Sequence, residues 1–172
     1  MAVNLTIGSI NVNGLHDFNK RDKTFTFIKN NNLDITMIQE THSETQLEND
    51  WRNDWEGLSL WNSGPLRRSS GVAFLFKKDL NIQIDYIEKD KEGKILSVCF
   101  TYNKNKIQCI NIYSPNTPGL RGQFFKNTEN FIKPEYSLLI GGDFNMVEDV
   151  QLDREGGSPC TTHTAGISEI RY

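Results

Sequence analysis

Four polar residues close stretches that otherwise read as β-strands: Asn11, Glu40, Tyr113 and Asp143. Singly, such positions have ordinary structural explanations. Asn13-Gly14 and Pro115-Asn116 are turn pairs, and Gly141-Gly142-Asp143 suits a tight bend. Glu40 resists that reading, because it ends the apolar run Ile35-Thr36-Met37-Ile38-Gln39, where a carboxylate is costly to bury without a partner. A metal ion would be such a partner. Ligands bind at the carboxyl ends of strands in open α/β sheets, so four polar strand ends together point to one site. Oxygen donors without a His or Cys cluster favour a hard cation such as Mg²⁺, which takes one or two carboxylates and keeps several waters. Glu40 is the leading direct ligand.

These residues need elements to position them. Leu5–Asn11 alternates as a strand, Phe18–Asn31 has helical spacing, and Asp34–Glu40 reads as a second strand. A strand, helix and strand joined in this way form a parallel unit whose strands end on the same sheet edge, so Asn11 and Glu40 arrive together. After the Trp-rich stretch Trp51–Trp61, short apolar strands at Gly71–Phe76, Asn81–Ile87, Lys94–Tyr102 and Lys106–Tyr113 suggest an antiparallel meander. A turn at Asn103–Asn105 would set Cys99 opposite Cys109, although a disulfide there would be strained and out of place in a reducing compartment. Gln123–Lys133 reads as a helix and Tyr136–Ile140 as a buried strand leading into Asp143.

The chain has 172 residues, 37% of them hydrophobic, enough for one sizeable core. Its net charge of -3 and pI near 5.6 argue against holding nucleic acid by bulk electrostatics. Any DNA contact must then be local. No apolar run reaches membrane-spanning length and the N-terminus has strand character, so the expectation is an intracellular protein without a membrane partner. Cys99, Cys109 and Cys160 lack metal-ligand spacing.

The ordered motifs Ile10-Asn11-Val12-Asn13-Gly14-Leu15, Ile38-Gln39-Glu40-Thr41-His42, Gly71-Val72-Ala73, Asn111-Ile112-Tyr113-Ser114-Pro115-Asn116 and Gly142-Asp143-Phe144-Asn145 resemble the endonuclease/exonuclease/phosphatase superfamily. The closest resemblance is to the apurinic-type endonuclease domain of LINE-like retrotransposons, and Leu152-Asp153-Arg154 extends it. It implies an α/β, four-layer sandwich: two β-sheets packed face to face with helices outside. It also implies Mg²⁺-dependent phosphodiester hydrolysis, with Mn²⁺ as a possible substitute. Asn11 would help order the metal site and Glu40 would bind Mg²⁺. Tyr113 and Asn116 would contact the scissile phosphate or support the site, Asp143 would position or activate the attacking water, and Asn145 would orient the phosphate. DNA is the implied partner, with a reverse transcriptase downstream in the parent polyprotein and a nuclear location if the target is chromosomal.

The resemblance spans Leu5 to Arg154, so residues 1–154 are expected to form a partial domain and 155–172 an irregular tail. Two later family motifs, a Ser-Arg-Ile-Asp-like segment and a Ser-Asp-His segment, are not found in this sequence. The expectation is therefore that the last part of the second sheet is missing, that activity is weak or absent, and that an exposed sheet edge favours self-association. A non-catalytic remnant that folds and binds DNA or another subunit is one alternative. Another phosphatase, a deadenylase or a sphingomyelinase of the same superfamily is a second, since fold alone does not choose the substrate. Arg67 and Arg68, Lys77-Lys78 and Arg121 are weak candidates for phosphate contacts, against solvated loop charge as the plain reading. His16 and His42 read as exposed neighbours of the motifs, and His163 as a loop residue.

Overall fold

A computed structural model describes residues 4–65, 70–147 and 166–169 of the chain. The elements run β1 (Ile7–Asn11), α1 (Phe18–Asn30), β2 (Ile35–Gln39), α2 (Glu48–Asp54), β3 (Ser59–Asn62), β4 (Val72–Phe76), β5 (Gln83–Lys89), β6 (Ile95–Tyr102), β7 (Asn105–Tyr113), α3 (Pro118–Thr128) and β8 (Ser137–Asp143). The strands form two four-stranded sheets, ordered β1-β2-β4-β3 and β5-β6-β7-β8. Both are mixed, because β1 runs parallel to β2 and β7 parallel to β8 while the remaining pairs are antiparallel.

Alternation along the strands builds the layers. Ile35 and Met37 of β2, with Val72, Phe74 and Phe76 of β4, meet Leu96, Val98 and Phe100 of β6 and Cys109 of β7 between the sheets. The outward face of the first sheet gives Ile38, Ala73 and Leu75 to a second cluster with Phe25, Ile28, Trp51 and Trp55 from α1, α2 and the segment after α2. Ile110 and Ile112 turn outward from the second sheet to meet Phe125 of α3. The result is the expected four-layer α/β sandwich.

Helix α1 starts where Asp17 accepts the Lys20 N–H at 2.7 Å, and stops at Asn31-Asn32, where Asn32 adopts a left-handed φ of 51°. Helix α3 begins five residues before the expected Gln123, because Pro118 occupies the first helical position, where its missing N–H costs nothing. It also ends sooner, passing into a 3-10 turn at Glu129–Phe131 ahead of Pro134.

Three expectations need correction. The four strands after Gly71 are not one meander: β4 joins the first sheet between β2 and β3, and only β5-β6-β7 zigzag as neighbours. Val72–Phe76 is buried on both faces, so it has no polar alternation to mark its sheet. Among the described residues the strand leading to Asp143 pairs on one side only, and with Leu138 and Leu139 exposed it is not the buried element expected. Cys99 pairs with Gln108, and Cys109 with Val98, because the β6-β7 turn has two residues rather than three. Among the described residues, no helix is long and apolar enough to cross a membrane.

Candidate active site

The four strand ends converge. Asn11 closes β1, Glu40 follows β2, and Tyr113 and Asp143 are register partners at the ends of β7 and β8. The Asn11 Nδ2 donates to Glu40 Oε1 at 2.9 Å and to Asp143 Oδ2 at 2.8 Å, so one amide joins a carboxylate from each sheet. The Asn11 oxygen accepts the Asn13 N–H at 3.0 Å, which fixes the amide orientation. Asp143 is held from its other side by the Asn145 N–H at 2.9 Å. Asn145 in turn donates its side-chain N–H to the Ser114 carbonyl at 2.7 Å, and the Ser114 hydroxyl donates to the Phe144 carbonyl at 2.6 Å.

Tyr113 is only 6% exposed, and its phenol lies near the Glu40 carboxylate and Asn116. Burial, followed by the nearby Glu40 carboxylate, pushes the phenol up to about 12. It is therefore a neutral hydrogen-bond donor across the working pH range. The Pro115-Asn116 loop is braced by Arg121 of α3, which donates to the carbonyls of Pro115 at 3.1 Å and Asn116 at 3.0 Å. Arg121 is buried, which corrects its reading as solvated loop charge.

The backbone around Glu40 is unusual. Glu40 and His42 adopt left-handed φ values of 52° and 53°, a conformation that costs of order 1–3 kcal/mol for a residue other than glycine. Surrounding bonds enforce it: Gly14 N–H to Glu40 O, Leu15 N–H to Thr41 O, Thr41 N–H to Gly71 O, and His42 N–H to Ser70 O. Gly71 is required here, because at φ 107° a Cβ would lie 2.2 Å from the Thr41 hydroxyl. The twist turns the Glu40 carboxylate toward Asn11. His42 is half-buried with Nε2 3.6 Å from Glu40 Oε2, so it is not the exposed neighbour expected. Burial lowers its pKa; Glu40 opposes that shift, and His16 and Lys20 reinforce it.

Sequence reading missed the residues behind the site. Gln39, immediately before Glu40, and Asn111, two residues before Tyr113, bond to each other between the sheets at 2.7 Å. Their separation of 72 positions leaves no local signal beyond an amide in an apolar strand. Arg67 and Arg68, Cys160, His163 and the Leu152-Asp153-Arg154 motif lie outside the described residues.

The donor set suits a hard cation. Among the described residues no three His, Cys, Asp or Glu side chains cluster as a ligand cage. Two carboxylates beside one amide match the sparse protein contribution that Mg²⁺ accepts.

A family model described as the Endonuclease/Exonuclease/phosphatase family matches residues 8–159. The chain belongs to the endonuclease/exonuclease/phosphatase family. Members of this family are hydrolytic nucleases and phosphodiesterases. The chain is 26% identical, over 150 residues, to the transposon TX1 uncharacterized 149 kDa protein of Xenopus laevis, a match covering 86% of this chain and 11% of that protein. It is similar in fold to an AP endonuclease from Archaeoglobus fulgidus, with a TM-score of 0.64, 15% identity, and coverage of 85% of this chain and 59% of that one. A humanized Danio rerio TDP2 gives a TM-score of 0.63 at 18% identity, covering 90% of this chain and 68% of its own.

Proposed function

We propose that this chain is the catalytic part of a Mg²⁺-dependent DNA endonuclease of the kind that nicks target DNA for LINE-like retrotransposons. The observation that carries the reading is the Asn11 amide shared between Glu40 and Asp143, with the buried Tyr113 phenol beside Glu40. The similarity to a transposon protein and the fold likeness to an AP endonuclease support DNA as the substrate. The 149 kDa size of the TX1 relative supports placing the chain in a larger parent protein; a reverse transcriptase as its downstream partner rests on the resemblance to LINE-like retrotransposon enzymes. A nuclear location follows if the target is chromosomal.

In this reading Glu40 holds the cation, and Mn²⁺ can replace Mg²⁺. When bound, the cation supplies neutralising charge at the phosphate and its leaving oxygen. As oriented, Asn11 offers its N–H to both carboxylates and its oxygen to Asn13, so it orders the site; direct ligation by Asn11 requires the amide to turn. Asp143, fixed by Asn11 and Asn145, orients the attacking water and accepts its proton. Tyr113 and Asn116 face the phosphate as neutral donors, and Asn145 steadies the same group. Alignment of this kind converts a slow hydrolysis into an in-line displacement between prepositioned atoms.

Plasmid nicking tests the proposal. Cutting of supercoiled DNA to open circle, expected to be weak in this chain, should require Mg²⁺ or Mn²⁺ and stop with a chelator, and Glu40→Ala or Asp143→Ala should abolish it. Cleavage that persists in both variants overturns the assignment.

A further inference from the structure

Among the described residues, polar side chains in the layer between the sheets are few: Asn62 of β3 donates to the Ile95 carbonyl of β6 at 2.8 Å, and Gln39 meets Asn111 beside the strand ends that form the site. Along β2 the residues facing that layer are Ile35, Met37 and Gln39; along β7 they are Cys109, Asn111 and Tyr113. Asn111 is 0% exposed and Gln39 1%. Asn111 accepts from Gln39 Nε2 at 2.7 Å and donates its own Nδ2 to the carbonyls of Ile38 at 3.0 Å and Ala73 at 2.9 Å. Ile38 and Ala73 are register partners on β2 and β4, so one side chain from the second sheet grips two adjacent strands of the first. Gln39 completes its own bonding through the Ser9 hydroxyl on β1.

Apolar faces packed together resist separation but discriminate weakly between small offsets, because dispersion and burial are non-directional. Hydrogen bonds fix direction and distance, and leaving any of these buried amide atoms unpaired is costly. The lock lies one residue before Glu40 and two before Tyr113. Glu40 comes from the first sheet and both Tyr113 and Asp143 from the second, so the spacing of the site is the spacing of the sheets at this point.

The geometry points to Asn111, acting with Gln39, as the positioning residue that sets the Glu40 carboxylate against Tyr113 and Asp143 for cation binding. This rests on the metal-site reading above. Groups that bond a ligand directly typically contribute about 10–100-fold in metal affinity, and a residue that acts through the spacing of the sheets is expected at the lower end of that range.

The test is Mn²⁺ binding to the full chain, followed by electron paramagnetic resonance, for the parent, Glu40→Ala, Asn111→Leu and the double variant Gln39→Leu with Asn111→Leu. The double variant removes both side-chain amides together, so neither is left buried without the other, and its thermal unfolding establishes that it is folded at the temperature of the binding measurement. Asn111→Ser gives the same comparison if Asn111→Leu does not fold. The expected result is a loss of Mn²⁺ affinity of about tenfold or more in the folded double variant, and nearly complete loss in Glu40→Ala. Parent-like affinity in a folded double variant, with Glu40→Ala impaired, overturns the positioning role alone. Equal binding by the parent and Glu40→Ala overturns the metal-site reading itself, and this inference with it.

Discussion

Tyr113 shows how much chemistry one buried hydroxyl can carry. Its phenol is pushed to about 12 by burial and by the nearby Glu40 carboxylate, whereas an unfolded tyrosine titrates near 10. A folded value above the unfolded one contributes stability that is fully present below about pH 10 and is lost as pH rises toward 12. Stability measured by denaturant titration should therefore fall across that window, and Tyr113→Phe should flatten the fall. Part of the slope will remain, because Tyr136, beside Asp85, is also pushed to about 12. An unchanged slope in Tyr113→Phe would show that its hydroxyl is not held as described. At this scale Asn11, Glu40, Tyr113 and Asp143 were legible because each ends an apolar run. Arg121, His42 and the Gln39-Asn111 pair were not, because what defines them is a carbonyl, a backbone twist or an amide reached only after the chain has folded.

At the scale of elements, the β6-β7 hairpin illustrates how one turn residue decides what two strands present. Asn103 and Lys104 both take positive φ, 48° and 69°, and Tyr102 pairs with Asn105, so the loop has two residues of the type matched to strand twist. The sequence predicts a three-residue turn, and a one-residue slip sends the partner side chain to the opposite face. Cys99 therefore lies on the α3 side with Gln108, and Cys109 lies between the sheets. Burial pushes the two thiols to about 11 and about 12, so both should resist alkylation until the chain unfolds. The turn also offers a stabilising change. Lys104 occupies a left-handed position that glycine adopts without penalty, and Asn-Gly is the preferred pair for this turn. Lys104→Gly should stabilise by about 0.5–1 kcal/mol after the entropy cost of glycine, which is about 1–4 °C in Tm for a chain of this size. A lower melting temperature by calorimetry would contradict the turn assignment.

Across the whole molecule, the two-sheet architecture was legible through its motifs, whereas the partition of strands between the sheets was not. Val72–Phe76 is apolar at every position, and its pairing with Ile35–Gln39 is a long-range contact without local trace. The same partition makes β8 consequential. Among the described residues it pairs on one side only, with β7, and it carries Leu138 and Leu139 at 41% and 39% exposure. An unpaired strand edge with apolar side chains is a template for another strand, and charged residues, lysine above all, are how such edges are blunted. We propose that the isolated chain associates with itself through this edge. Sedimentation velocity should show concentration-dependent growth in size for the parent chain, and Leu138→Lys with Leu139→Lys should shift the distribution toward monomer. Because both positions lie at the far end of β8 from Asp143, Mn²⁺ affinity should be unchanged in that variant. A parent that stays monomeric at all concentrations would mean that β8 is already covered.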